Sequence, residues 1–184
     1  MAASKKFKNL SKIKLVCLDV DGVLTDGGII IGNNKTEFKQ YNVKDGTGIA
    51  LGRHAGLQFA VISGRFSKAI AFRAKELKIQ HVYQGALNKL GPYAELKGKL
   101  NLKDEEVCFI GDEIIDIPVL RRCGFGAAPA DSASEAKKAA LYICKNGGGR
   151  GCVREVIDMI LKARGLWDTA VKRYLDDEKE AEGI

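Results

Sequence analysis

The sequence predicts an α/β fold in which a parallel sheet carries helices on both faces. Short apolar runs of the kind buried in such sheets alternate with helical segments, and glycine or polar residues follow the runs. This alternation indicates right-handed βαβ units. The 184 residues fit one domain, so we predict a single domain over 1–184, with a hairpin at about 28–41 and a charged, mobile tail at about 172–184.

The composition is that of an ordinary soluble protein. Hydrophobic residues make up 46% and charged residues 29% of the chain. No stretch approaches the ~20 apolar residues of a membrane span, so we expect a cytoplasmic protein without a membrane partner. The five cysteines are odd in number and form no Cys-x-x-Cys, which favours reduced core thiols over a disulfide framework or a zinc site.

The formal net charge of +7 is compatible with nucleic acid, a membrane surface or a small anionic substrate. Lysine and arginine are dispersed along the chain, however, and no basic run has interleaved aromatic residues. We therefore expect a small anionic molecule rather than nucleic acid as the partner.

The first predicted strand ends at a pair of carboxylates. The apolar run Ile13 to Leu18 leads into Asp19 and Asp21, and Gly22 follows directly. Because side chains i and i+2 of a strand lie on one side, both carboxylates can face one point. A divalent cation would relieve their repulsion, and a metal beside an anionic nucleophile suits phosphoryl chemistry. An isolated Asp-x-Asp-Gly is also typical of a simple turn, so the assignment depends on residues further along the chain.

A β-hairpin is predicted directly after this pair. Two short strand-like runs, Ile29 to Ile31 and Thr36 to Tyr41, flank the turn residues Gly32 to Lys35. Three consecutive isoleucines on an exposed hairpin invite pairing with another chain. We predict that this hairpin is buried between subunits.

The next strand ends in a candidate phosphate cradle. A polar loop, Asn42 to Gly48, opens a helix with Asp45 as the expected N-cap. Strand Gln58 to Ile62 then ends in Ser63-Gly64-Arg65, before helix Ser67 to Leu77. A hydroxyl and free backbone N–H groups at such a junction can hold a phosphate, although Ser63 would equally serve as a helix cap.

Two further segments supply a lysine and a second group of carboxylates. Strand His81 to Tyr83 precedes a helix that begins near Lys89, which taken alone would be a surface lysine. Strand Val107 to Ile110 ends in Gly111-Asp112-Glu113-Ile114-Ile115-Asp116. The alternation continues with strand Phe125 to Ala128, helix Ser132 to Ala140, strand Tyr142 to Cys144 and helix Val153 to Ala163.

Ligands of parallel sheets bind outside the carboxyl ends of the strands. Asp19, Asp21, Ser63 and Asp112 follow predicted strand ends, and Lys89 begins a helix after another strand. We expect these five residues to converge on one crevice.

The chain carries, in order, Asp19-x-Asp21-Gly-x-x-Thr25-Asp26, Ser63-Gly64, Lys89 and Gly111-Asp112-Glu-x-x-Asp116. Together these resemble the four motifs of the haloacid dehalogenase superfamily of phosphotransferases. The resemblance implies a Rossmann-like fold without a cap domain, with the hairpin inserted after the first strand. Further segments are similar to phosphatases of 3-deoxy-D-manno-octulosonate 8-phosphate, namely Tyr41-Asn-Val-Lys-Asp-Gly-Thr-Gly-Ile49, Ile62-Ser-Gly-Arg65, Tyr83-Gln-Gly and Gly148-Gly-Arg-Gly-Cys-Val-Arg-Glu155.

The resemblance implies a magnesium-dependent phosphomonoesterase. Asp19 would be the nucleophile and Asp21 the general acid and base. Ser63 and Lys89 would hold the transferring phosphoryl oxygens. Mg²⁺ would be held by the Asp19 carboxylate, the Asp21 backbone carbonyl and Asp112. Glu113 and Asp116 would orient these ligands.

Substrate contacts are also carried over from the resemblance. Arg65 favours an eight-carbon keto-deoxy sugar acid, because relatives for the nine-carbon analogue tend to have glutamate there and a guanidinium can pair with a carboxylate bidentately. Ala50 stands where the family has an arginine, and the nearest arginine is Arg53. The expected substrate-binding residues are Asp21, Asn42, Val43, Lys44, Asp45, Gly46, Gly64, Arg65, Arg73 and Lys89.

The expected reaction releases the sugar acid for lipopolysaccharide synthesis. The resemblance further implies a homotetramer in which the hairpins at 28–41 pack together and residues 42–46 reach a neighbour's crevice. Three alternatives stay open at this point. They are a phosphatase for another acidic sugar phosphate of the nine-carbon or sialic-acid type, a catalytically silent regulatory or scaffold module, and a nucleic-acid phosphatase.

Overall fold

The computed structural model describes Phe7 and residues 9–182; the parts of the predicted domain at 1–6, 8 and 183–184 lie outside the described residues. It has one six-stranded sheet and one two-stranded hairpin. The strands are β1 Leu15–Leu18, β2 Ile30–Ile31, β3 Glu37–Phe38, β4 Gln58–Ile62, β5 His81–Tyr83, β6 Val107–Ile110, β7 Phe125–Ala128 and β8 Tyr142–Ile143.

Helices connect the strands of the main sheet. They are α1 Val43–His54, α2 Lys68–Glu76, α3 Leu90–Lys99, α4 Ile117–Leu120, α5 Ser134–Ala139, α6 Cys152–Ala163 and α7 Trp167–Glu182. The main sheet has the order β5-β4-β1-β6-β7-β8 and every pairing in it is parallel. The predicted α/β fold with a parallel sheet is therefore confirmed, and within the described chain no cap domain covers it.

The central strand β1 shows why these runs are apolar throughout. Val16 and Leu18 face a core formed with α1, α2 and α6, whereas Leu15 and Cys17 face a second core formed with α3 and α4. All four side chains are at most 1% exposed. A strand buried on both faces cannot alternate apolar with polar residues, so its sequence is a continuous apolar run.

The hairpin is inserted after β1, as predicted, but its ladder of paired residues is shorter than the predicted runs. Ile30 pairs with Phe38 and Ile31 with Glu37, antiparallel, across a turn in which Gly32 N–H donates to the Thr36 carbonyl at 2.8 Å. Ile30 and Ile31 are 54% and 66% exposed in the single chain. The apolar hairpin therefore lies on the surface of the protomer.

The C-terminal segment forms a helix, and its expected mobility stays a prediction. The structure places Lys172 onward inside helix α7. This helix contacts α1, where Arg173 Nη1 donates to the His54 carbonyl at 2.9 Å and Asp177 lies 3.6 Å from His54 Nε2. One face of this charge-rich helix therefore has a protein surface to pack against.

Two smaller observations concern the cysteines and the character of the helices. All five cysteines are buried and free, as predicted for reduced core thiols. Among the residues that the structure describes, none of the helices has the length and apolar character needed to cross a membrane.

Candidate active site

The sheet order brings the predicted site residues to one end of three adjacent strands. β1 lies between β4 and β6, with Leu18 beside Val61 and beside Ile110. Asp19 follows β1 and donates its N–H to the Ile110 carbonyl at 3.0 Å, which extends the ladder by one residue. Parallel pairing therefore places the residues that follow these strands at the same end of the sheet.

A buried lysine joins two of the carboxylates. Lys89 Nζ lies 2.9 Å from Asp19 Oδ1 and 2.6 Å from Asp116 Oδ1. The Lys89 and Asp116 side chains are fully buried and that of Asp19 is 8% exposed. A buried ammonium is tolerated only when it is paired. Lys89 is therefore part of the carboxylate cluster and not a surface lysine.

Asp116 uses its second oxygen to organise the loop after β6. Its Oδ2 accepts the backbone N–H of Asp112 at 2.9 Å and that of Glu113 at 3.1 Å. One carboxylate thus fixes both Lys89 and the backbone that carries Asp112. This arrangement resembles the outer-sphere support of metal sites, where a buried group orients the ligand that faces the ion.

Three carboxylates lie close enough to share a cation. Oxygens of Asp19, Asp112 and Asp116 all lie within 4.8 Å of one another. Asp112 Oδ1 is buried and has no hydrogen-bond partner among the described residues. A buried carboxylate oxygen without a partner is costly, and a hard divalent cation is the ligand that this donor set fits.

The electrostatics of the cluster also favour a bound cation. Burial raises the pKa of Asp19 to about 6, although the charge of Lys89 opposes the shift. Burial and then the charge of Asp19 raise the pKa of Asp112 to about 8. For Lys89, burial lowers the pKa, but Asp19 and Asp116 outweigh it and raise the pKa. The cluster has more carboxylate than its single lysine can compensate, so a cation would stabilise the ionised form.

Glycines allow the Asp21 loop to fold tightly over Asp112. Gly22 has φ +84°, and a Cβ there would lie 2.0 Å from Asp112 Oδ2. Behind the loop, a Cβ on Gly148 would lie 2.0 Å from the Gly22 carbonyl oxygen, and Gly149 N–H donates to the Val23 carbonyl at 2.8 Å. The glycine-rich turn at 147–151 therefore supports the loop that follows β1.

The Ser63 loop lies beside the cluster on the neighbouring strand. Ser63 is 1% exposed, and its Oγ accepts the Arg65 N–H at 3.3 Å. Its carbonyl accepts the Ala86 N–H at 3.0 Å, which ties the loop to the segment before Lys89. Gly64 packs against Ile115 and Leu87. The helix cap is Ser67, whose side chain accepts the Ala69 N–H, so Ser63 does not cap α2.

Asp21 lies among charged residues, two of which the sequence analysis missed. Its carboxylate contacts Lys39 Nζ, and Arg65 Nε lies 3.4 Å from Oδ2. Both cations also contact Glu37 Oε1, each at 3.0 Å. The alternation Glu37-Phe38-Lys39 was the available signal, since it places Glu37 and Lys39 on one side of a strand.

The loop before α1 is arranged differently from its expected role. Asn42, not Asp45, is the N-cap of α1, because its side chain accepts the Lys44 N–H at 2.8 Å. Asp45 is 1% exposed, and its carboxylate accepts the N–H groups of Gly151 and Arg154 at the start of α6. Burial raises the pKa of Asp45, and these bonds oppose the shift.

The remaining expected substrate contacts do not meet the acid cluster in the single chain. Val43 is 79% exposed, and Lys44 is also exposed. Arg73 lies over the Tyr41 ring, approaches Gly46 and pairs with Glu76 at 2.8 Å. Their placement in a neighbour's crevice concerns an assembly and stays a prediction.

Glu113 is expected from the sequence to orient a metal ligand, but its side chain lies outside the carboxylate cluster. Its side chain is turned to solvent and accepts the Ile114 N–H at 3.2 Å. Its backbone N–H, by contrast, is part of the Asp116 network. Asp116 is thus the better placed of the two for holding the loop.

Known proteins are similar to this chain in sequence and in structure. Residues 59–155 match the haloacid dehalogenase-like hydrolase family. The chain is 44% identical over 158 residues to the 3-deoxy-D-manno-octulosonate 8-phosphate phosphatase KdsC of Escherichia coli K12, which covers 86% of this chain and 84% of that protein.

Solved structures give the same result. The crystal structure of 3-deoxy-D-manno-octulosonate 8-phosphate phosphatase from Yersinia pestis is 41% identical with a TM-score of 0.86, covering 88% of each chain. The enzyme from Moraxella catarrhalis, solved in complex with magnesium, phosphate and KDO, is 36% identical with a TM-score of 0.90. It covers 93% of this chain and 98% of that one.

Proposed function

Because this chain belongs to the haloacid dehalogenase-like hydrolases, we propose that it is a phosphatase that hydrolyses 3-deoxy-D-manno-octulosonate 8-phosphate to the sugar acid and phosphate. The observation that carries the proposal is the buried cluster of Asp19, Lys89, Asp112 and Asp116 at the carboxyl end of the sheet. The similarity to phosphatases of this substrate over most of the chain supports the choice of substrate.

Mg²⁺ is the cofactor, and the residues present fit it. The Asp19 carboxylate, the Asp21 carbonyl and Asp112 would hold the ion, and the unpartnered Asp112 Oδ1 supports this assignment. When bound, Mg²⁺ offsets negative charge on the phosphoryl oxygens and helps to orient the group for attack. Asp116 orients Asp112 through the backbone bonds described above.

Asp19 is the nucleophile in the first half-reaction. A carboxylate oxygen of Asp19 forms a bond to phosphorus, the bond from phosphorus to the sugar oxygen breaks, and an aspartyl-phosphate results. Lys89, 2.9 Å from Asp19 Oδ1, holds the carboxylate in place and stabilises charge on the transferring group. Asp21 gives its proton to the leaving sugar oxygen.

The second half-reaction reverses the role of Asp21. Its carboxylate takes a proton from water, and the water oxygen bonds to phosphorus as the bond to Asp19 breaks. Ser63 would hold a phosphoryl oxygen during both steps, since its loop lies on the strand beside β1. This division of labour needs two carboxylates at the end of one strand, which the Asp-x-Asp spacing supplies.

Arg65 is the residue that supports an acidic sugar as substrate. Its side chain is 46% exposed and lies beside Asp21, so it can reach a carboxylate on a bound substrate. Ala50 stands where the family that this chain resembles has an arginine. A phosphatase for a nine-carbon keto-deoxy sugar phosphate is therefore the second candidate. A silent module is disfavoured because both carboxylates after β1 and the Asp112 cluster are present.

We further propose a cytoplasmic homotetramer whose product enters lipopolysaccharide synthesis. The exposed hairpin supports assembly, since four of its apolar side chains are between 52% and 66% exposed, namely Ile29, Ile30, Ile31 and Phe38. Such an apolar patch is typical of a subunit interface. Light scattering at micromolar concentration should give the mass of a tetramer, and a monomer mass would contradict the assembly.

The experiment for the proposed function is a panel of phosphorylated keto-deoxy sugar acids of eight and nine carbons. Catalytic efficiency should be highest for the eight-carbon substrate with magnesium and should be lost with a chelator. Higher efficiency with the nine-carbon substrate would overturn the substrate assignment. Turnover that is equal with chelator would overturn the metal dependence.

A further inference from the structure

The hairpin carries a lysine that is buried against the active site. Lys39 directly follows β3, and its side chain is 1% exposed. Its ammonium contacts the Asp21 carboxylate and lies 3.0 Å from Glu37 Oε1. We propose that Lys39 is a positioning residue, which holds the Asp21 carboxylate in place for proton transfer; this rests on the role of Asp21 in the proposed function.

Four alternating charges form a closed ring at this point. Lys39 and Arg65 each contact both carboxylates, Asp21 and Glu37. Burial tends to raise the pKa of Glu37, but the bonds and charge from Lys39, with contributions from Ser67 and Arg65, lower its pKa. The carboxylate of Glu37 is therefore ionised, and it holds the two cations against Asp21.

The two cations of the ring differ in exposure, and this separates their roles. The Arg65 side chain is 46% exposed and can turn to a substrate carboxylate without leaving a buried site. Lys39 has no such freedom, because moving its ammonium away would leave it buried without its carboxylate partners. Lys39 is thus the fixed member that orients Asp21, and Arg65 is the member available to substrate.

Orientation of Asp21 matters in both half-reactions. Its oxygen must meet the leaving sugar oxygen and later the attacking water, and an error of about 1 Å in placement can cost on the order of 100-fold in rate. Because Lys39 belongs to the inserted hairpin, the hairpin contributes directly to proton transfer within its own protomer.

The test compares Lys39→Met, which removes the charge at similar size, with Lys39→Arg, which restores it. Lys75→Met is the matched control, since Lys75 is an exposed lysine of α2. Each protein is assayed with the sugar phosphate and with 4-nitrophenyl phosphate, whose leaving group departs without a proton. Rapid mixing separates nitrophenolate release in the first turnover from the steady state, and thermal melting reports folding.

Lys39→Met should lower kcat for the sugar phosphate by about 100-fold, with a much smaller change in KM. With 4-nitrophenyl phosphate it should keep a fast first turnover and then slow, because only the second step still needs Asp21. Lys39→Arg should recover part of the lost kcat, and Lys75→Met should match the wild type. Unchanged kcat, or equal losses in the first turnover and the steady state, would overturn the proposal.

Lys39→Gln, whose uncharged side chain is one bond shorter and cannot hold Asp21 at the same contact, decides the question if Lys39→Met does not fold. It should lower kcat for the sugar phosphate at least about tenfold, and wild-type kcat would overturn the inference. Failure of the proposed function is distinguishable. If the wild type turns over 4-nitrophenyl phosphate but not the sugar phosphate, the substrate assignment is wrong. The comparison of the first turnover with the steady state then still tests the role of Lys39.

Discussion

The Lys89 ammonium lies 2.6 Å from Asp116 Oδ1, and both side chains are fully buried beneath the nucleophile. Asp116 in turn accepts the backbone N–H groups that position Asp112. The cation that steadies Asp19 and the loop that carries Asp112 are therefore held by the same carboxylate.

Lys89→Met should weaken both stability and catalysis. Two buried carboxylates would lose their cation, which costs about 3–5 kcal/mol of unfolding free energy. Loss of a charge that stabilises the transition state should lower kcat by about 100-fold or more. Urea unfolding with chelator and steady-state assays with magnesium measure the two effects, and unfolding like that of Lys75→Met would contradict the buried pairing.

Asp19→Asn should abolish turnover while the fold survives. The amide cannot attack phosphorus, whereas Lys89 keeps Asp116 as its partner. Acid quench followed by mass spectrometry should detect a phosphoryl group on Asp19 in the wild type and none in the variant. Asp26→Asn is the control, because Asp26 is an exposed acid of the same loop. Turnover retained by Asp19→Asn would remove the nucleophile assignment.

Gly148→Ala should distort the loop that carries Asp21. The new Cβ would lie 2.0 Å from the Gly22 carbonyl oxygen and 2.7 Å from that of Thr25, and backbone cannot move aside cheaply. We expect a loss of about 1–3 kcal/mol in stability and a lower kcat. Gly98→Ala, in α3 with no atom within 4 Å of the new Cβ, should instead be neutral or slightly stabilising. Equal behaviour of the two variants in melting and kinetics would argue against the close packing.

Glu155→Gln should reduce stability at neutral pH and not in acid. Burial opposes ionisation of Glu155, but bonds from Tyr142, Lys145 and Asn146 outweigh it and lower its pKa below the ordinary 4.5. A lowered pKa in the folded state stabilises the protein above the unfolded pKa, and this stability is lost as pH falls through the folded pKa.

The difference between the wild type and Glu155→Gln should be about 1 kcal/mol at pH 7, since the site is partly exposed. It should shrink as pH falls below 4.5. Chemical unfolding between neutral and acidic pH measures it, with Glu105→Gln as an exposed control. A difference that grows in acid would reverse the predicted sign.

Buried strands were the most predictable part of the fold. β4, β6 and β7 have the bounds expected from their apolar runs, because a strand covered on both faces leaves an uninterrupted signal. The partly exposed edge strand β5 also has its expected bounds. Helix α7 was not predicted as such, since its charged residues hide the single face that packs on α1.

Within the site, the residues that follow the strands were predictable because parallel topology brings them together. The pairing of Lys39 with Asp21 and the contacts of Asp45 were not, since those partners lie elsewhere in the chain and the sequence does not pair them. Lys39 is classed by composition as a surface residue, yet two carboxylates bury it. Asp45 has the signature of a cap for its own helix, yet it caps α6 instead.

The contact of Gly148 with Gly22, and of Asp45 with the start of α6, has a consequence for protein synthesis. All of the proposed catalytic side chains are encoded before residue 117, but the turn that supports their loop is made near the end of the chain. A nascent chain on the ribosome thus has its acids long before it has the packing that orders them.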